Sequence, residues 1–117
     1  MTNALLDRVS IRPLAPGPER AFAASVDGRV VAVGGWNRLP GGQLAEVSLV
    51  LHDSAAETPA AGLLREIAVD AARAGIRRFV HEGGPDDAPV RRVIRTAGFD
   101  AATVYQQGIL RSSFAIA

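Results

Sequence analysis

Leu44, Glu46, Ser48 and Val50 alternate with Ala45, Val47, Leu49 and Leu51 along one short stretch of the chain. A period of two sends the two sets to opposite sides of an extended backbone, so residues 44–51 form the clearest predicted strand. Three shorter runs before it, 9–14, 20–26 and 30–38, also read as strands. Asp27-Gly28 between the second and third tolerates the positive φ angles of a two-residue hairpin turn. Residues 39–43, Leu-Pro-Gly-Gly-Gln, make a further turn. The first half of the chain is therefore expected to be an antiparallel meander.

The period then changes. Leu63, Leu64, Ile67, Ala68 and Ala71 recur at helical spacing. Thr58-Pro59 reads as the helix start, with Thr58 as N-cap and Pro59 at the first helical position, and Gly75 closes the helix. Residues 76–82 return as a strand broken by Gly83-Gly84-Pro85. A short helix is predicted over 87–97, with Val90, Val93, Ile94 and Ala97 inward and Arg91, Arg92 and Arg95 outward. Two strands flank Gln106-Gln107-Gly108. A strand, helix, strand succession requires a crossover between parallel neighbours. The expected fold class is α+β: a mixed, mostly antiparallel sheet carrying two helices. Residues 9–117 are expected to form one domain and residues 1–8 to fray.

Composition narrows this. The 117 residues include 21 Ala and 12 Val but only one Trp, one Tyr and four Phe, so the core must be aliphatic and built from small groups. All 13 basic residues are Arg, and with 12 acidic residues the net charge is +1. That balance argues against nucleic acid as a partner, which would call for a basic surplus. No Cys is present, which excludes disulfides and thiolate chemistry. Two isolated His argue against a zinc site. No apolar run approaches the roughly 18 residues of a membrane span, and no signal-peptide layout opens the chain, so a cytoplasmic location is expected.

The order of elements, together with several segments, resembles the GNAT superfamily of N-acetyltransferases, and within it the bacterial Pat-type protein acetyltransferases. The segments are RPL at 12–14, VDGRVVAVGG at 26–35, AEVSLVL at 45–51, AGLLREIAVDAARAGIRRFV at 61–80, RRVIRTAGF at 91–99 and GILRSSF at 108–114. The resemblance implies that acetyl-CoA, as cosubstrate, lies in a V-shaped gap between the strands at 44–51 and 76–82. Backbone groups of Leu49, Val50 and Leu51 would hold the pantetheine arm, and the pyrophosphate would sit on the following helix N-terminus, where free N–H groups favour an anion. Thr58, Ala60, Ala61 and Gly62 are its candidate contacts, with Asp87 from the short helix. Glu46 falls where the Pat-type enzymes carry a general base for the acceptor amine. It would need partial burial to take a proton near neutrality.

Three departures stand out. The family's Q/R-x-x-G-x-G/A loop matches residues 56–61, where only Ala61 fits. Pro59 removes one donor, and Glu57 brings a carboxylate that at about 4 Å from a phosphate would repel it by roughly 4 kcal/mol at an effective dielectric near 20. The position of the family's Tyr general acid holds Ile94, and that of its Asn holds Asp87, which also reads as a helix N-cap. The helices that wall the acceptor side are missing between the first two strands. The uncovered apolar sheet surface therefore predicts a homodimer.

Other residues keep two readings. Trp36, with Asn37, either lines an acceptor groove or is the one large packing group. His52 and His81 end the two parallel strands, as surface residues or as site residues; Asp53 and Ser54 after His52 make no triad by adjacency. Arg77, Arg78, Arg91, Arg92 and Arg95 either attract the CoA 3′-phosphate or form a solvated face balanced by Asp86 and Asp87. Two functions follow: an acetyl-CoA-dependent N-acyltransferase acting on an amine of a protein or small molecule, or a catalytically inactive GNAT-fold binding or assembly module that does not use acetyl-CoA.

Overall fold

The computed structural model describes residues 9–15, 20–52 and 56–117. The predicted fraying of residues 1–8, and Asp53 and Ser54, lie outside the described residues. The strands are β1 (Val9–Ala15), β2 (Arg20–Val26), β3 (Arg29–Arg38), β4 (Leu44–Leu51), β5 (Arg78–Gly83), β6 (Ala102–Gln106) and β7 (Ile109–Ala115). Helix α1 spans Glu57–Arg73 and α2 spans Ala88–Thr96, the latter preceded by a 3₁₀ turn at Pro85–Asp87. All seven strands form one sheet in the order β1-β2-β3-β4-β5-β7-β6. Only β4 and β5 pair in parallel; the other five neighbours are antiparallel. The mixed α+β expectation holds.

The alternation in β4 is read directly by the fold. Ala45, Val47 and Leu49 are buried, while Glu46, Ser48 and Val50 are exposed. Trp36 and Gly34 of β3, opposite Val47 and Leu49, are buried as well. Helix α1 covers this face with Leu63, Leu64 and Ile67, each 0% exposed. It can approach closely because Gly34 has no side chain: a Cβ there would lie 2.7 Å from Leu49 Cδ2 and 3.0 Å from Ile67 Cδ1. Val90, Val93 and Ile94 of α2 join the same core. Phe79 and Phe114, directly opposite each other in β5 and β7, meet edge to face at 5.9 Å. Trp36 is buried, and its Nε1 donates to Asp70 Oδ2 of α1 at 2.9 Å. Its packing reading is the one the fold adopts.

Helix ends depart from expectation at one terminus. Helix α1 begins at Glu57, with Ala56 as N-cap and no side-chain cap. Thr58 and Pro59 are therefore the second and third helical residues. Pro59 is tolerated there because the first-turn N–H groups have no intrahelical acceptor in any case. The C-terminal signals act as predicted: Gly75 adopts φ +90°, its N–H bonds Ala72 O, and the Ile76 N–H reaches back to Ala71 O at 3.0 Å. Helix α2 closes by the same pair of bonds through Gly98 and Phe99. Strand β5 starts at Arg78, two residues later than predicted, because Arg77 and Arg78 both donate their N–H to Gln43 O in the preceding turn. β1 and β2 are separated by residues 16–19 and pair directly with each other.

Candidate functional site: the splay between β4 and β5

The parallel ladder has three rungs, Leu44–Arg78, Ala45–Phe79 and Glu46–Val80. Beyond Glu46 the two strands part, although β4 runs on to Leu51 and β5 to Gly83. The result is a V-shaped gap with Glu46 at its apex. Backbone groups alternate in direction along a strand. His52 N–H bonds Val31 O of β3, and Val47 O is met from the β5 side. Ser48, Val50 and His52 therefore direct their backbone groups to β3, and Val47, Leu49 and Leu51 direct theirs into the gap. Of the three candidate strand residues, Leu49 and Leu51 offer groups to a ligand there, and Val50 does not.

A buried imidazole stands in the apex. His81, 5% exposed, is the first β5 residue past the ladder. Its Nδ1 lies 3.3 Å from Val47 O, and its Nε2 lies 2.9 Å from Asp87 Oδ2. Both partners are acceptors, so both bonds are made at once when both ring nitrogens carry protons. The ring takes the carbonyl that the next rung of the ladder would have used. Asp87 closes on β5 only because residue 83 is glycine, whose missing Cβ leaves room for the Asp87 carboxyl. Asp87 does occupy the N-cap position of α2, but its side chain makes no cap bond. The carboxylate expected to cap the helix holds His81 instead.

Glu46 is exposed, on the face opposite both helices, with Asn37 across from it in β3. The partial burial expected of a base is absent. Pro59, in the first turn of helix α1, has no N–H to offer a ligand there. Ala60 and Ala61 are buried, and with Gly62 they lie beyond the first three helical residues, where N–H groups are engaged within the helix. Glu57 does not stand alone: Arg92 Nε donates to its Oε1 at 2.8 Å. The carboxylate that would repel a phosphate is thus neutralised, and a guanidinium stands beside the same helix end. Arg91 donates to the Gly84 and Pro85 carbonyls. The outer face of α2 is therefore balanced by Glu57 and backbone oxygens rather than by Asp86 and Asp87. Ile94 is 2% exposed, so no proton donor stands at that position.

A separate cleft of about 430 Å³ lies between the β2–β3 hairpin and the start of α1, lined by Arg29, Val30, His52, Ala56 and Pro59 among others. It opens on the β3 side of β4 and includes no β5 residue. Among the described residues no group of three or more His, Asp and Glu could hold a metal ion, and no helix is long and apolar enough to cross a membrane.

Solved structures match this arrangement. The GNAT domain of S. lividans PAT superposes with a TM-score of 0.71 at 27% identity, over 84% of this chain and 61% of that one. The chain has a GNAT fold. A putative acetyltransferase from Salmonella typhimurium, solved with its cofactor acetyl-CoA, shares the GNAT fold with it at TM-score 0.68 and 18% identity, over 85% of this chain and 65% of that one. A cAMP-binding acyltransferase from Mycobacterium smegmatis matches 98% of this chain and 50% of its own, with TM-score 0.75 and 14% identity. The chain thus spans less than two thirds of each of these GNAT-fold proteins. No family model matches it, and no curated protein does.

Proposed function

We propose that the chain is an acyl-CoA-dependent N-acyltransferase, with acetyl-CoA as donor and an amine of a protein or small molecule as acceptor. The observation that carries this reading is the splay itself. A ladder that stops after three rungs leaves Leu49 and Leu51 with backbone groups facing an open gap, in the place where the resemblance puts the pantetheine arm. The α1 N-terminus and the Arg92–Glu57 pair at its start suit a pyrophosphate better than residues 56–61 alone suggest.

In this reading the bound acceptor covers the open face and supplies the burial that Glu46 lacks in the free chain, and Glu46, at the apex, takes a proton from the acceptor ammonium through water. The freed amine nitrogen attacks the thioester carbonyl carbon, the C–S bond breaks, the new amide nitrogen sheds its second proton to water, and the departing thiolate draws a proton from solvent, because Ile94 supplies none. Acetyl-CoA contributes the activated acyl group; the chain contributes position and one carboxylate.

A second reading, a GNAT-fold binding or assembly module, is favoured by two observations: Pro59 withholds a donor, and His81 occupies the carbonyl nearest the apex. Calorimetric titration with acetyl-CoA separates the two. Micromolar binding is expected, weakened by Leu51→Pro, which removes a gap-facing N–H without touching a β3 rung, provided the variant keeps its circular dichroism spectrum. Absence of heat at millimolar acetyl-CoA overturns the enzyme reading and leaves the module.

A further inference from the structure

Among the described residues the sheet ends in two edge strands that differ sharply. β1 carries Arg12 and Pro13 and an irregular register between Pro13 and Ala15, three features that discourage pairing with another chain. β6, Ala-Thr-Val-Tyr-Gln, has no charge, no proline and no bulge in its five rungs to β7, and every residue of it is exposed. Val104 and Tyr105 are 60% and 65% exposed.

The hairpin sets which groups this edge offers. Gln107 and Gly108 both have positive φ, 53° and 82°, the two-residue turn whose closing rung is hydrogen-bonded. The rungs Gln106–Ile109, Val104–Arg111 and Ala102–Ser113 are then the bonded ones. Thr103 and Tyr105 turn their N–H and C=O outward. We infer that β6 pairs antiparallel with β6 of a second copy of this chain, with Val104 on the two-fold axis.

The second copy fits because the strand is complementary to itself about that axis. Thr103 of one copy then faces Tyr105 of the other, and the outward groups of both satisfy each other in four hydrogen bonds. No charge meets a like charge, since Asp100, the nearest acidic residue, falls opposite Gly108 of the second copy. Two seven-stranded sheets become one. A five-residue edge is short against the roughly 1,200 Å² that stable interfaces bury, so the dimer forms in the micromolar range.

Sedimentation equilibrium on the full chain tests this with paired variants. Val104→Lys and Val104→Glu each place like charges on the axis while leaving the rung to Arg111 intact. Each is expected to weaken self-association roughly tenfold or more. An equimolar mixture of the two is expected to restore a dimer at least as tight as the wild type. Tyr105→Pro deletes one outward N–H and no β7 rung, and is expected to dissociate the dimer with an unchanged circular dichroism spectrum. A wild-type chain that stays monomeric at high micromolar concentration overturns the inference. So do charged variants that remain dimeric, or a mixture that stays monomeric.

Discussion

The two sides of β4 differ in what holds them. Toward the helices, Ala45, Val47 and Leu49 sit under Leu63, Leu64 and Ile67, and every side chain is specified by its neighbours. Toward the open face, Glu46, Ser48 and Val50 are exposed, and Glu46 has no bonding partner among the described residues. One strand therefore combines a fixed side, where substitution costs stability, with a side where chemistry is free to vary. The buried His81 sits at the point where the two regimes meet, on the packed face but at the apex of the splay.

The contrast breaks first on the packed side. Phe79→Ala empties a fully buried site against Phe114 and is expected to cost about 3–5 kcal/mol, read from the urea midpoint. A loss under about 1 kcal/mol would mean that this face is far less tightly specified than its burial implies. His81→Ala is intermediate. It leaves Val47 O and the Asp87 carboxylate unpaired at the apex, and a loss of about 2–3 kcal/mol is expected. An unchanged midpoint would show that the His81 bridge between Val47 and Asp87 does not stabilise the fold. The smallest effect on stability belongs to the open face. Glu46→Gln is expected to shift stability by no more than about 0.5 kcal/mol. The same variant should slow thiol release from acetyl-CoA, with a lysine-bearing peptide as acceptor, by about a hundredfold or more. Undiminished turnover would remove Glu46 as the base.

The elements were legible in sequence wherever one period dominated. The alternation of residues 44–51 and the helical spacing of Leu63, Leu64, Ile67, Ala68 and Ala71 gave strand, helix and buried face together. Punctuation worked where a backbone conformation is required, as at Gly75, and was ambiguous where several residues can start a helix. Thr58-Pro59 satisfies the rules for a start, yet the chain begins α1 at Glu57. The site was legible only in outline. His81 and Asp87 are six residues apart across a strand end, and Glu57 and Arg92 are 35 apart, so neither pair leaves a local spacing signal. The one hint was the Gly83-Gly84 pair, which reads as a strand breaker but also marks where a side chain lies over bare backbone.

The three-rung ladder also bears on how the molecule assembles. β1–β4 are joined by short connections, as are β6 and β7, so each block forms from contacts between sequence neighbours. Joining Leu44–Glu46 to Arg78–Val80 instead closes a long loop, whose entropy must be met before the rungs reward it. The sheet is a four-strand panel and a hairpin, each local in sequence, sewn to the two sides of β5 by long-range seams, and the gap at the end of the narrower seam exists because the stitching stops early.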